Sequence, residues 1–173
     1  MTPKQSEKNV PVRVLGIDPG TAITGWAVLE EQNGKPVAIA FGHITTHKDT
    51  PDSGRILEIN NDISEILEKY KPTEAAIEKI FFFKNQKTVI EVSQSRGAVL
   101  LTLERKSVKI YDYTPLQVKQ SLTGYGRAEK KQVQLMTKSI LNLKSLPKPD
   151  DVADAIAIAI CHINSRKFLT STQ

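Results

Sequence analysis

Three strand-like segments follow one another so closely near the start of the chain that they can pair only as an antiparallel meander. Residues 12–17, 24–30 and 37–45 are rich in apolar and β-branched side chains. A parallel crossover needs about a dozen residues or more, and neither gap is that long. We therefore expect residues 12–45 to contribute three antiparallel strands to one sheet.

Helices and short strands alternate through the rest of the chain. Isoleucines at helical spacing predict a helix that ends at the Lys71-Pro72 dipeptide. The later elements are expected in this order: a strand at 75–80, a helix at 88–103, a strand at 108–113, a short helix through Val118, and a helix at 128–141. This pattern predicts an α/β fold with a five-stranded mixed sheet, in which two parallel strands join the meander and helices cover both faces.

The last element can be read in two ways. Alanines and isoleucines alternate over residues 153–160, which is compatible with a strand. The alanine content and the acidic start after Pro147 and Pro149 favour a buried helix. The choice matters because Asp151 and Asp154 share a face on a helix and lie on opposite faces of a strand.

Length and composition indicate one ordinary globular domain. The 173 residues are 39% hydrophobic and carry a net charge of +5, which suits a polyanionic partner. Cys161 is the only cysteine, so the chain has no internal disulfide. We expect flexible tails at 1–10 and 169–173 around a domain at 11–168. The absence of a long apolar run or a signal peptide predicts a cytoplasmic protein without a membrane anchor.

Acidic residues in apolar surroundings are the strongest chemical signal. Asp18 ends one apolar run and Glu78 lies in another, while Asp151 and Asp154 lie three apart near the far end. A pair of divalent cations needs several convergent carboxylates.

Each acid also has a purely structural explanation. Asp18 begins an Asp-Pro-Gly turn, in which Gly20 is expected to take a positive φ, and one of the acids at 150 and 151 could cap a helix. Glu78 could lie on a solvated strand face, although its apolar neighbours favour burial. Asp154 lies in an apolar segment with no obvious cation nearby in the sequence.

Other common catalytic groups are missing from the sequence. His43, His47 and His162 have no metal-ligand spacing, and the chain has neither a Gly-x-Ser-x-Gly elbow nor a phosphate-binding loop. Cys161 and His162 are adjacent, and their side chains would diverge on a helix. Carboxylate and metal chemistry is what remains.

Several segments together resemble a known family. They are Leu-Gly-Ile-Asp-Pro-Gly-Thr at 15–21, Ala-Ile-Glu-Lys-Ile-Phe at 76–81, Tyr-Thr-Pro-Leu-Gln-Val-Lys-Gln at 113–120, Gly-Arg-Ala-Glu-Lys-Lys-Gln-Val at 126–133 and Asp-Val-Ala-Asp-Ala-Ile-Ala-Ile-Ala at 151–159. In this order and at these intervals the chain resembles the RuvC Holliday junction resolvases, nucleases of the ribonuclease H-like superfamily. The resemblance implies the ribonuclease H-like version of the mixed sheet.

The resemblance also implies roles for individual residues. The metal-binding and catalytic acids would be Asp18, Glu78, Asp151 and Asp154, holding two Mg²⁺ per active site, with Mn²⁺ as an alternative. Lys130 would be catalytic as well. The DNA-binding residues would be Phe81, Lys84, Lys119, Arg127, Lys130 and Lys131, with Phe81 stacking on a base.

Two of these assignments have structural alternatives. The phenylalanines at 81–83 could instead pack in the core or against another subunit. The loop around Gly124 and Gly126 could simply join two helices whose lysines are solvated.

The implied function is the resolution of four-way DNA junctions by paired symmetric nicks. Two equivalent cuts suggest a homodimer, with the helix at 88–103 as a plausible interface, and the RuvA and RuvB branch-migration proteins as partners. Three rivals remain open: an actin-like or sugar-kinase ATPase, a junction-binding protein without catalysis, and a ribonuclease H-like nuclease acting on structured RNA.

Overall fold

The strands and helices follow the predicted order. A computed structural model describes residues 11–79 and 86–169, with side chains described for 11–79 and 89–166. The strands are β1 (Arg13–Asp18), β2 (Ile23–Gln32), β3 (Lys35–Thr45), β4 (Glu74–Glu78) and β5 (Lys109–Tyr113). The helices are α1 (Asp52–Tyr70), α2 (Gln86–Arg105), α3 (Pro115–Thr123), α4 (Lys130–Ile140) and α5 (Asp150–Leu169).

The sheet is mixed, as predicted. Its strand order is β3-β2-β1-β4-β5. β1 pairs antiparallel with β2, and β2 with β3, whereas β4 pairs parallel with both β1 and β5. The predicted meander with two added parallel strands is confirmed.

Two turns in the meander differ from the sequence prediction. The β2–β3 hairpin turns at Asn33 and Gly34, which both have positive φ, at 52° and 76°. An Asn-Gly pair suits such a tight turn, so both strands run closer to the turn than predicted. Gly20 does not take the expected positive φ, which among the described glycines occurs at Gly34 and Gly124. At position 20 a Cβ atom would instead overlap the Ile23 carbonyl.

The last element is a helix, as the composition favoured. α5 packs across the sheet with α3 and α4, and its residues from Val152 to Ile163 are buried except for the half-buried Asp154. α1 and α2 cover the opposite face around a second core that includes Leu15, Ile17 and Ile77. Helices on both faces are therefore confirmed.

Glycines let α5 lie directly on the sheet backbone. A Cβ atom at Gly16 would overlap the Ala155 carbonyl oxygen, and one at Gly25 would overlap the Asp151 carbonyl oxygen. Glycine inside a strand often marks such a close approach. The start of α5 is thereby fixed against β1 and β2.

The chain ends are only partly described. The predicted tail at 1–10 lies outside the described residues, as do residues 170–173. α5 extends through Leu169, one residue into the predicted C-terminal tail. In the described part of the chain, no helix combines the length and apolarity needed to cross a membrane.

Candidate active site

Two of the predicted acids end neighbouring parallel strands. Asp18 is the last residue of β1 and Glu78 is the last residue of β4. Each lies one position beyond the paired residues Ile17 and Ile77. Because parallel strands end at the same edge of a sheet, the two carboxyl groups are brought to one place.

The other two acids reach the same edge from α5. Asp18 pairs with Gly25 across the β1–β2 ladder, and Gly25 lies directly under the backbone of Asp151. Asp154 follows one helical turn later. All four acids are half-buried, whereas the neighbouring Asp150 is exposed.

The electrostatics show that these carboxyl groups interact. Burial raises the pKa of Asp18 to about 8, helped by the negative charges of Glu78, Asp154 and Asp151. Burial raises the pKa of Glu78 to about 7, with Asp154 as the next contribution. The pKa of Asp154 is also raised, mainly by burial. Ionised together, these groups repel one another, so the site favours protons or a cation.

Lys130 supplies a cation that the local sequence around Asp154 did not reveal. It is the first residue of α4, and its Nζ lies 2.9 Å from Asp154 Oδ2 and 3.4 Å from Asp150 Oδ2. Burial acts to lower the pKa of Lys130, but its contacts with Asp154 and Asp150 raise it overall. The sequence around Asp154 offers no cation, and the structure supplies one from α4, which packs against α5.

A small cavity opens beside the acids, between α3, α4 and α5. It has a volume of about 210 Å³ and is lined by Glu78, Asp154, Lys119 and Lys130, with an apolar floor that includes Val118 and Ile158. The positive charges of Lys130 and Lys119 act to lower the pKa of Glu78, which places both ammonium groups near that carboxylate.

The other predicted DNA-binding residues separate into two groups. Arg127 and Lys131 are exposed on the loop before α4 and on its first turn. Phe81 and Lys84 lie outside the described residues. Tyr125, which the sequence analysis did not select, is 59% exposed in the same loop as Arg127. Its position between Gly124 and Gly126, beside basic residues, was the sequence feature that could have marked it as a candidate DNA contact.

The donor set matches a hard divalent cation in its chemistry. All four predicted ligands offer carboxylate oxygens, the preferred donors of Mg²⁺ and Mn²⁺. Among the described residues, however, no three His, Cys, Asp or Glu side chains already lie close enough together to hold a metal ion. Repulsion between the carboxylates and the contact of Lys130 with Asp154 both oppose a tighter cluster.

Comparison with known proteins decides the family. The family model described as crossover junction endodeoxyribonuclease RuvC matches residues 14–162. The chain belongs to the RuvC family. The membership expected from the sequence is confirmed, and it removes the actin-like and sugar-kinase alternative.

Individual RuvC proteins support the same assignment over nearly the whole chain. The crossover junction endodeoxyribonuclease RuvC of Halothermothrix orenii is 53% identical over 155 residues, covering 90% of this chain and 94% of that protein. The solved Thermus thermophilus RuvC is 34% identical, with a TM-score of 0.86 over 92% of this chain and 98% of that one. Its complex with a Holliday junction substrate gives a TM-score of 0.87 at the same identity, over 92% and 97% of the two chains.

Proposed function

We propose that this chain is a metal-dependent endonuclease that resolves Holliday junctions by paired, symmetric nicks. The observation that carries the proposal is the meeting of mutually repelling, half-buried carboxyl groups from β1, β4 and α5 beneath Lys130. Buried charges that serve only structure are normally paired, because an unpaired one is costly. The cost at this edge is explained if the acids serve a cation and a phosphodiester.

Asp18, Glu78, Asp151 and Asp154 would hold two Mg²⁺, with Mn²⁺ as an alternative. When bound, such ions supply Lewis acidity at the phosphate and a nucleophilic water at neutral pH. The raised pKa values of Asp18 and Glu78 limit the negative charge that the site carries without a cation. The same acids become full anions when a cation offsets their repulsion.

The basic residues would act on the DNA backbone. Lys130 projects from the start of α4 over the acids, where its charge can stabilise the phosphate during cleavage. Lys119 lines the same cavity from α3, next to Glu78. Arg127 and Lys131, both exposed, would contact flanking phosphates. The roles of Phe81 as a base-stacking residue and of Lys84 as a phosphate contact remain predictions from the family resemblance.

The assembly and the cellular setting remain predictions too. Two symmetric nicks call for two equivalent sites, which a two-fold homodimer provides, with α2 as the proposed interface. RuvA and RuvB are the expected partners, and the cytoplasm is the expected compartment.

A synthetic four-way junction tests the proposal directly. The chain, incubated with the junction and Mg²⁺, should release nicked duplexes that DNA ligase seals. The Asp18→Asn variant should bind the junction but cut it at least about a thousandfold more slowly, since several kcal/mol of transition-state stabilisation is lost.

A matched control separates the site from a general loss of charge. Asp62 on α1 also has a raised pKa, because of burial and the charges of Glu65 and Glu58. It lies on the face of the sheet opposite α5, so Asp62→Asn should cut like the unmodified chain. Binding of the junction without any cutting by the unmodified chain would favour the non-catalytic rival, and preferential cutting of branched RNA would favour the RNA nuclease.

A further inference from the structure

A polar network lies buried between α5 and the sheet, away from the acidic edge. His162 is fully buried on α5. Its Nδ1 lies 2.7 Å from the Tyr113 hydroxyl on β5, and its Nε2 lies 2.7 Å from Glu74 Oε2 on β4. Arg166, one turn further along α5, donates from Nε to the same Glu74 oxygen at 2.6 Å.

The proton positions in this network follow from its chemistry. The carboxylate of Glu74 can only accept, so His162 donates from Nε2. Burial lowers the pKa of His162, so its ring is neutral and Nδ1 is an acceptor. Burial raises the pKa of Tyr113 to about 12, so its hydroxyl keeps the proton that it donates to Nδ1. Every donor in the chain Tyr113–His162–Glu74 therefore meets an acceptor.

The network connects α5 to β4, two of the three elements that carry the active-site acids, and reaches β5 through Tyr113. His162 follows Asp154 by eight residues on α5, about 12 Å along the axis and about 80° around it. Glu74 and Glu78 lie on the same face of β4, about 13 Å apart. Tyr113 pairs with Glu78 across the β4–β5 ladder. The His162–Glu74 contact therefore lies about 12–13 Å from the place where Asp154 approaches Glu78, along both α5 and β4.

The two ends of this α5–β4 contact differ in their polar interactions: one end repels and the other attracts. At the active-site end, Glu78 and Asp154 line the same cavity, and as ionised carboxylates neither can donate a hydrogen bond to the other. At the other end, His162 and Arg166 both donate to Glu74. Within the described part of the chain, polar side-chain contacts attract α5 to β4 at the second end only.

We propose that Tyr113, His162 and Glu74 are positioning residues that hold α5 in register with β4 and so set the spacing of the metal-binding acids. This inference rests on the proposed function of those acids. Residues that do not touch a metal but hold its ligands in place are known to affect metal affinity. Loosening the network should let α5 shift away from Glu78 and weaken the binding of Mg²⁺.

Tyr113→Phe is the sharpest test, because it removes one hydroxyl and keeps the ring. We expect the half-saturating Mg²⁺ concentration for junction cleavage to rise on the order of fivefold, the effect of about one hydrogen bond. The rise in melting temperature that Mg²⁺ alone produces should shrink in parallel. Junction affinity in EDTA should stay within about twofold of the unmodified chain. His162→Gln keeps an amide donor for Glu74 and replaces the ring nitrogen by a flexible amide oxygen, so it should raise the half-saturating Mg²⁺ concentration in the same direction by a smaller factor, and it serves if Tyr113→Phe folds poorly.

Thr102→Val is the matched control for a structural role. The Thr102 hydroxyl is buried between α1 and α2, where it donates to Asn60 Oδ1 at 2.8 Å and to Ala98 O at 2.7 Å. Its loss should lower the melting temperature and leave the Mg²⁺ dependence unchanged. If Tyr113→Phe and His162→Gln behave like Thr102→Val, the positioning role is wrong while the proposed function stands. If the unmodified chain neither cuts junctions nor gains stability from Mg²⁺, both proposals are overturned.

Discussion

The first turns of α5 and its last turns both carry ionisable side chains toward the sheet, but the two ends treat charge differently. Around Asp154 the carboxyl groups raise one another's pKa values. Lys130, the one cation in direct contact among the described residues, comes from α4 and is half-exposed. Around His162 each ionisable group has a short hydrogen bond to a partner of the matching type. A polar network in which every group has a hydrogen-bond partner stabilises the fold. A cluster of carboxyl groups that raise one another's pKa values indicates a functional site.

The largest expected effect is a contrast in stability between the two ends of α5. Glu74→Gln removes the anion that His162 and Arg166 share. Arg166 keeps its contact with Glu31 Oε2 at 2.8 Å, so we expect a loss of about 3 kcal/mol in the free energy of unfolding, the lower end for breaking a buried pair. Asp18→Asn removes a repelled charge, so its stability in EDTA should be equal to or above that of the unmodified chain. Urea denaturation of both variants measures the difference. If both variants lost the same free energy of unfolding, the proposed difference between the two ends of α5 would be wrong.

A change at the packing point of α5 should come next in size. Gly25→Ala places a Cβ atom against the Asp151 carbonyl oxygen, so the start of α5 must move away from β2. Overpacking of this kind costs about 1–3 kcal/mol in stability. Because Asp151 moves with the backbone, the cleavage rate at limiting Mg²⁺ should fall as well. Gly97→Ala inside α2, where a Cβ atom meets open space, is the control for stability, which should rise by about 0.5–1 kcal/mol rather than fall. A Gly25→Ala variant with full activity would show that the position of Asp151 is not critical.

The pH dependence of stability should also differ between the acidic end of α5 and the His162 end, and this effect is smaller. The folded pKa values of Asp18 and Glu78, about 8 and about 7, lie above their ordinary values. Between about pH 4 and 8 the folded chain therefore binds more protons than the unfolded chain, and stability falls as the pH rises. The pKa of His162 is lowered, so its contribution is present above pH 6.5 and lost only below it. From pH 6.5 to 8.5 in EDTA, the melting temperature should fall by about 2–4 °C, equivalent to about 1 kcal/mol.

Two measurements check the source of that slope. Asp18→Asn should make the melting temperature less dependent on pH, because the main titrating group is gone. Saturating Mg²⁺ should have the same effect, because a bound cation keeps the acids ionised in the folded state. Parallel curves for the variant and the unmodified chain would assign the slope to other groups.

The smallest expected effect concerns the exposed basic rim. Arg127→Ala should weaken junction binding in EDTA modestly and reduce the slope of log affinity against log salt by about one. Lys69→Ala is the control, because the Lys69 ammonium lies over the Tyr70 ring on α1, 5.1 Å from its centroid, on the other face of the sheet. An unchanged salt slope for Arg127→Ala would remove Arg127 from the DNA-binding surface.

Local sequence patterns predicted the elements better than the turns. The strand-end position of Asp18 follows from an apolar run that stops at an acid, and the helical form of α5 follows from its alanines. Glu78 was predicted inside a strand at 75–80, whereas β4 ends at Glu78. The hairpin at Asn33-Gly34 was also readable, since this dipeptide strongly favours such a turn, but the predicted strands stopped short of it. Gly25 inside a strand was a further readable signal of close packing.

The sequence by itself determined the order of the elements and the mixed sheet, because apolar periodicity and strand spacing are local properties of the chain. The grouping of the four acids into one site came from the family resemblance. Only the tertiary structure decided that Lys130 rests on Asp154 and that His162 joins Tyr113 to Glu74. Those contacts link residues that are dozens of positions apart or lie on separate elements, and no periodicity records them. They arise when burial forces each polar group to find a partner on whichever element is packed against it.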